Sequence, residues 1–243
     1  MPTYTFTPSI LRGAGTRAVP AIPAGSSFTN NFSLDFDGTN DKVTFSDIVA
    51  SGEFTLSFWM KPKSFFHNTN VFPFGQESGA ANYFMILNTN DDGGTSTRKL
   101  LLRIDSSQTI VEETSGNNVV LNQWNNIVIV RDSSNNIQFF RNGATFGSSY
   151  SESNTLTLNS IGRVINSSYG FQGGMDEFAV WNSNQTSNVS TIYSEGLPSD
   201  LSSLSPLHWY RFEEGSGTTA TDSGTGGNNG TINGATYSTD VPS

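Results

Sequence analysis

Apolar and polar residues alternate along most of the chain in short runs. Residues 53–62 read EFTLSFWMKP, in which Phe54, Leu56 and Phe58 share one phase. A period of two residues is typical of a β-strand that buries one face. The run NNIVIVR at 125–131 is apolar in both phases, which predicts a strand covered on both sides. Further strands are predicted at residues 71–76, 83–87, 100–105, 109–114, 136–141 and 155–161.

Turn residues separate these runs, and helical periodicity is rare. Asn142-Gly143 is a strong signal for a tight hairpin turn. Residues 188–196 predict one short helix, because Val189, Ile192 and Tyr193 fall at helical spacing. The 24 glycines and the low share of charged residues, 14%, fit a turn-rich chain. We therefore expect a single large all-β domain.

The overall charge and the cysteine content exclude several classes of partner and site. The net charge of −9 makes nucleic acid an unfavourable partner. With 0 cysteines the chain has no disulfide and no thiolate metal site. No apolar run approaches the length of a transmembrane helix, so we expect no membrane insertion.

Residues 1–27 differ from the rest and are predicted to form an extended arm ahead of a domain at 28–243. The arm contains four prolines and no acidic residue, and its net charge of +2 leaves −11 for the remainder (−9 − 2). It lacks the pattern of a secretory signal peptide. Either it is an unattached terminus or it docks on another subunit. The apolar and basic residues predicted to anchor it are Tyr4, Phe6, Ile10, Leu11, Arg12 and Arg17.

The stretch SYGFQGGMDEFAVWN at 168–182 is predicted to be a glycine-rich turn that leads into a strand. Alternation from Met175 onward places Asp176, Phe178 and Val180 on one face. An aspartate in phase with apolar residues needs a partner. A metal ion, an arginine or backbone N–H groups could each serve.

Several of these segments resemble motifs of LamG-like domains, the laminin G, pentraxin and concanavalin A-like group. NFSLDFDGTNDKVTFS at 31–46 is similar to the entry hairpin of the family, and residues 53–62 end in its W-x-K-P pattern. The strand that follows Trp124 and the stretch at 168–182 resemble two further family strands. The resemblance implies a jelly-roll β-sandwich of two antiparallel sheets.

The C-terminal segment resembles a part of the family that usually stands first. HWYRFEEGSGTTATDSGTGGNNGT, from residue 208, is similar to the segment that opens LamG-like domains. Here it follows the other strands, which predicts a circularly permuted order. The alternative is a truncated second repeat that begins near residue 207.

A calcium site is one candidate for the chemistry of the domain. The turn at 37–41 offers Asp37, Asn40 and Asp41, and Asp176 is expected at a neighbouring strand end. Loops equivalent to the pentraxin calcium loops contain few acids here, which argues against a pentraxin-type site. The alternative is that these aspartates cap turns or pair with arginine.

A sugar site is the second candidate. The amide-rich loops at 88–97 and 166–172 are expected to contact a glycan. The residues predicted to bind ligand are Asn166, Tyr169, Phe171 and Gln172. The four tryptophans lie in predicted strands and are interpreted as structural. No E-x-D-x-x-E motif of sandwich-type glycoside hydrolases is present, so no enzymatic activity is expected.

These features predict a non-catalytic binding or adhesion module within a larger assembly. The resemblance extends to LamG-like domains of tailed-phage decoration and fibre proteins. It implies a virion protein that is oligomeric, contacts other subunits through residues 1–27 and presents its domain to a glycan or a cell surface. The alternatives are a secreted or cell-surface lectin and, least favoured, a glycan hydrolase.

Overall fold

Two antiparallel β-sheets pack face to face in the computed structural model of the protein. The structure describes residues 28–63, 71–77, 82–89, 97–105, 107–111, 119–164 and 170–243. The predicted all-β jelly-roll sandwich is confirmed.

Sheet I contains eight of the described strands. In spatial order seven of them are β10 (Ala144–Ser151), β9 (Asn136–Arg141), β8 (Asn125–Arg131), β3 (Phe54–Pro62), β12 (Gln172–Trp181), β1 (Ser33–Asp37) and β16 (Thr236–Ser238). The eighth strand, β13 (His208–Tyr210), pairs with β12 beside β1.

Sheet II contains the other eight described strands. In spatial order they are β14 (Thr219–Ala220), β15 (Gly230–Asn233), β2 (Lys42–Ala50), β11 (Leu156–Ile161), β4 (Val71–Gly75), β5 (Tyr83–Thr89), β6 (Thr97–Ile104) and β7 (Ser107–Val111).

The main core lies between the two sheets and follows the alternation seen in the sequence. Phe54, Leu56 and Phe58 of β3 point into it and are fully buried. The rings of Phe74 and Phe84, from sheet II, lie 5.0 and 5.3 Å from that of Phe58. Every residue of β8 is buried, as the apolar pattern in both phases predicted.

A second, smaller apolar cluster lies on the outer face of sheet I. It forms because the segment 186–204 covers this face with one α-helix, α1 (Val189–Tyr193), and three 3₁₀ turns. Val189 and Ile192 are buried against Trp181 of β12. The predicted short helix is therefore confirmed, and it explains why β8 is apolar on both faces. Among the described residues no helix is long and apolar enough to cross a membrane.

The C-terminal segment completes the same sandwich. The strand β13 pairs with β12, β15 pairs with β2, and β16 pairs with β1. These pairings bring residues 208–238 into both sheets, as the permuted order requires. A second repeat that begins near residue 207 does not fit this pairing.

Candidate functional site

A β-bulge in β12 determines where Asp176 points. Asp176 pairs with Trp59, whereas Ala179 pairs with Ser57, so two residues of β12 oppose one residue of β3. Glu177, inside the bulge, has a φ of 50°. The extra residue shifts the phase of the strand and turns Asp176 to the outer face of sheet I. The prediction that Asp176 shares a face with the core residue Phe178 is therefore wrong.

Two adjacent carboxyl groups are buried at this bulge. Asp176 accepts hydrogen bonds from the Asn30 side chain and from the backbone N–H of Glu177, each at 2.9 Å. Glu177 accepts from Trp209 Nε1 at 2.5 Å and from Arg211 Nε at 3.3 Å. The partner that the sequence required for Asp176 is thus a side-chain amide and a backbone N–H group.

Burial keeps protons on this pair near neutral pH. Burial, followed by the neighbouring Glu177 charge, raises the pKa of Asp176 well above its ordinary value. Burial also raises the pKa of Glu177 to about 8. The Arg211 charge and the hydrogen bonds that Trp209 and Arg211 donate to Glu177 oppose this rise. Both side chains are almost fully buried, so neither can contact a substrate in this conformation.

The free energy of unfolding is expected to fall as the pH rises from about 5 to about 8. In this window the folded state holds more protons than the unfolded state, since the unfolded carboxyls titrate near pH 4. Glu177 alone contributes a loss on the order of 3 kcal/mol over this window. In the Glu177→Gln variant the profile should become flatter. Urea unfolding at each pH measures the profile.

The exposed Glu195 provides the control for this experiment. Glu195→Gln should keep the slope of the wild-type profile, because this side chain lies in solvent. If Glu177→Gln and wild type give the same slope, the carboxyl pair does not hold its protons as described.

The turn at 37–41 is held by its own aspartates. Asp41 Oδ2 accepts from the backbone N–H of Asp37 at 2.9 Å, and Asp37 Oδ1 accepts from that of Thr39 at 2.7 Å. Burial raises the pKa of the Asp41 carboxyl. Asn40 is exposed at the tip of the turn. The carboxylates therefore act as turn caps in this structure.

The four residues predicted to bind calcium do not come together. Asp37 pairs with Gln172, so Asp176 lies about 13 Å further along β12. The expected proximity of Asp176 to the turn at 37–41 is wrong. Within the described ranges no group of three or more His, Asp or Glu residues is arranged to hold a metal. Calcium binding stays a prediction.

The predicted sugar-binding residues have different outcomes. Phe171 is fully buried and packs edge-on against Phe36 at 6.2 Å, so the prediction that it stacks on a sugar is wrong. Gln172 is partly exposed at the start of β12. Asn166 and Tyr169 lie outside the described residues. The same holds for the anchoring residues predicted in the arm, Tyr4, Phe6, Ile10, Leu11, Arg12 and Arg17.

An aromatic groove lies on the outer face of sheet I and was not predicted. Its volume is about 350 Å³. Aromatic, amide and small residues and one lysine, from five separate parts of the chain, line it. They are Trp59, Lys61, Asn122, Gln123, Trp124, Asn142, Tyr193, Gly196 and Ser243.

The stacked rings of Trp59 and Tyr193 form one part of the aromatic groove. Their centroids are 5.9 Å apart and their planes differ by 25°. Trp59 is only 3% exposed, whereas Tyr193 is partly exposed at the end of α1. A Cβ on Gly143 would lie 2.7 Å from the Tyr193 ring, so the turn after β9 needs glycine here. The Tyr193 ring is therefore held in place by Trp59 and by the turn at Gly143, while part of it stays exposed to the groove.

Trp124 contributes a second indole to the aromatic groove. A Cβ on Gly174 would lie 2.6 Å from its ring, so this glycine of β12 makes room for the indole. Its Nε1–H donates to Asp240 Oδ1 at 3.2 Å. Lys61 Nζ also binds Asp240, at 2.6 Å. Because Asp240 compensates the Lys61 charge, the side chains of the groove carry little net charge.

Side-chain amides give the aromatic groove its polar character. Asn142 Oδ1 accepts from the backbone N–H of Asn126 at 2.9 Å, which fixes the amide and leaves its NH₂ for a ligand. Asn122 and Gln123 are exposed beside Trp124. Aromatic rings combined with amides suit a polar ring compound that has one apolar face.

The sequence contained part of the signal for this groove. Trp59 is out of phase with the core residues Phe58 and Met60, so alternation alone places it on the outer face of sheet I. The interpretation of the four tryptophans as structural stays a prediction. Trp124 and Tyr193 could not be connected with Trp59 from the sequence, because they lie 65 and 134 positions further along the chain (124 − 59 and 193 − 59).

Comparisons with known proteins agree with the architecture. A family model described as the concanavalin A-like lectin/glucanases superfamily matches residues 37–188. No curated protein matches the sequence. Among solved structures, a candidate carbohydrate-binding protein from Bacteroides ovatus is similar with 20% identity and a TM-score of 0.64, over 88% of this chain and 62% of that one.

A phage protein shares the same architecture. The enzymatically active domain of tailspike protein 2 from bacteriophage CBA120 is similar with 14% identity and a TM-score of 0.54, over 78% of this chain and 34% of that one. This chain therefore spans less than two thirds of the length of either structure. At these identities the likeness establishes the fold.

Proposed function

We propose that this chain, which belongs to the concanavalin A-like lectin/glucanases superfamily, is a non-catalytic module that binds carbohydrate through the aromatic groove. The observation that carries the proposal is the convergence of Trp124 and the stacked Trp59–Tyr193 pair around free amide groups. A pyranose ring presents C–H groups on its faces and hydroxyls at its edge. Aromatic rings pack against the C–H groups, and amides form hydrogen bonds with the hydroxyls.

The low net charge of the aromatic groove points to a neutral sugar. Lys61 and Asp240 neutralise each other at its edge, and its described lining contains no other charged side chain. Within the described residues, the strongly shifted carboxyls Asp176 and Glu177 are buried among Asn30, Trp209 and Arg211 and do not line the groove. This separation supports a binding role without catalysis.

We propose that this module belongs to a structural or fibre protein of a virion. The likeness to a phage tailspike domain supports this at the level of fold. Attachment to other virion subunits through residues 1–27 and assembly into an oligomer complete the proposal. A secreted or cell-surface lectin is the alternative, supported by the likeness to the Bacteroides ovatus protein.

Replacing Trp124 with alanine is expected to weaken oligosaccharide binding about tenfold or more. The change removes an aromatic surface that a sugar would contact, whereas β8 and the core keep their side chains. A glycan array identifies ligands of the wild-type chain, and titration calorimetry compares the variants. Tyr193→Ala should weaken the same ligands.

Val49→Ala is the matched control, because this exposed apolar side chain lies on β2 of the other sheet. It should bind as wild type does. The proposal fails if no glycan binds the wild-type chain, or if ligands bind Trp124→Ala with unchanged affinity while its melting temperature shows that it is folded.

A further inference from the structure

A second groove, here the acceptor groove, opens on the outer face of sheet I near the end of β8. Its volume is about 440 Å³. It lies towards the opposite end of α1 from the aromatic groove, since Thr186, just before the helix, lines it, whereas Tyr193, the last residue of the helix, lines the aromatic groove. Val130, Asp132, Asn136, Gln138, Phe140, Ser149, Asn184 and Thr186 form its lining.

Gln138 presents an oxygen to the acceptor groove. Its Nε2 lies 3.0 Å from the carbonyl oxygen of Phe139 and 3.3 Å from those of Phe146 and Gly147. Three carbonyl acceptors around one atom require the NH₂ group there, which fixes the orientation of the amide. Within the described part of the chain no group donates to its Oε1 atom, which remains for a ligand that donates.

Asp132 and Asn136 add two further acceptors. Asp132 Oδ1 accepts from the backbone N–H groups of Ser134 and Asn136, at 2.9 and 2.8 Å. The Asn136 side chain directs its NH₂ to Asp132 Oδ2 at 3.2 Å, so its own Oδ1 receives no hydrogen bond from the described residues. The hydrogen bonds from Asn136 lower the pKa of Asp132, which is therefore ionised at neutral pH.

The rest of the acceptor groove is apolar below and polar at the rim. Val130 and Phe140 are buried and form an apolar floor. Asn184 Oδ1 accepts from the backbone N–H of Thr186 at 2.9 Å, so its NH₂ group remains to donate. Ser149 is exposed on the opposite side.

We propose that the acceptor groove binds the protonated amino group of an amino sugar. A primary ammonium has three donors and no acceptor, which matches the oxygens of Asp132, Asn136 and Gln138. One of these oxygens is anionic, and charge-assisted hydrogen bonds are about twice as strong as neutral ones. This site is separate from the aromatic groove, so it does not depend on sugar binding there.

Two other cationic ligands match the lining less well. A lysine side chain would place methylenes on Val130 and Phe140 but leave Ser149 and Asn184 without partners. A sugar ring would pack its C–H face on Val130 and Phe140, and its hydroxyls would form hydrogen bonds with Ser149 and Asn184. A metal ion would need several oxygens around it, and the apolar floor takes one side of the groove.

The test compares methyl glucosaminide with methyl N-acetylglucosaminide, which lacks the charge. NMR titration at about pH 6 follows the wild-type chain and the Asp132→Asn variant, since both the amine and Asp132 are then charged. The substitution keeps the side-chain oxygen that caps the turn and removes the charge. We expect wild type to bind the amine about tenfold more tightly, with the Gln138 side-chain amide signals shifting, and the variant to lose this preference.

The control is Asp47→Asn, which removes an exposed carboxylate from β2 of the other sheet and should keep the preference. Equal binding of the two sugars by wild type, or a preference that survives Asp132→Asn, overturns the proposal. Equally tight binding of n-butylammonium overturns the sugar assignment in favour of a lysine side chain. A preference that Trp124→Ala abolishes places the site in the aromatic groove and also overturns it.

Discussion

Replacing Arg131 with alanine is expected to lower the free energy of unfolding by about 3–5 kcal/mol. This side chain is fully buried at the end of β8. It donates to the carbonyl oxygens of Gly52 at 2.7 Å, Ala50 at 3.0 Å and Asn154 at 2.5 Å. Its guanidinium also lies 4.7 Å from the centroid of the Phe54 ring. Alanine leaves these carbonyls without donors and opens a cavity.

Urea unfolding measures this loss against Lys63→Ala as the control. Lys63 forms an ion pair with Asp35 on the surface, which contributes about 0–1 kcal/mol. Arg131→Lys should recover only part of the stability, because one ammonium cannot reach all the carbonyls that the planar guanidinium reaches. A loss for Arg131→Ala no larger than that for Lys63→Ala would contradict this account.

Phe58→Ala is expected to cost about 3–5 kcal/mol of the free energy of unfolding. Phe58 lies at the centre of the main core, and its ring contacts Phe74 and Phe84 of sheet II and Phe178 of β12. Their centroids lie 5.0, 5.3 and 6.0 Å from its own. Alanine removes these contacts and leaves a void that three packed rings cannot fill.

Val49→Ala, on the surface of sheet II, should change the free energy of unfolding by less than about 0.5 kcal/mol. Urea unfolding compares Phe58→Ala and Val49→Ala with wild type. An unchanged dependence of the free energy of unfolding on urea concentration checks that unfolding stays two-state. If Phe58→Ala loses less than about 1 kcal/mol, the aromatic cluster is not the centre of the core.

Alternation predicted much of the fold because it is a local property. In β3, residues two positions apart must share a face, so Phe54, Leu56 and Phe58 could be assigned to the core from the sequence alone. The helical spacing of Val189 and Ile192 predicted α1 in the same way. The family motifs extended these predictions to the jelly-roll sandwich, which the structure and the family match confirm.

Alternation failed where the strand itself is irregular. The bulge at Glu177 inserts one residue into β12, and this insertion depends on pairing with β3, not on the residues of β12 alone. The phase of Asp176 therefore could not be read from its neighbours. The buried position of Phe171 has a similar cause, since its contact with Phe36 joins distant parts of the chain.

By itself the sequence determined the strands, the apolar faces and the absence of thiol chemistry, because each follows from composition or from the two-residue period. Only the tertiary structure decided which polar and aromatic groups meet. Trp59 lies in β3, Trp124 directly precedes β8 and Tyr193 ends α1. The pairing of β3 with β8 and the packing of α1 on sheet I bring the three rings to one groove. Such long-range contacts depend on register and packing, which no local pattern specifies.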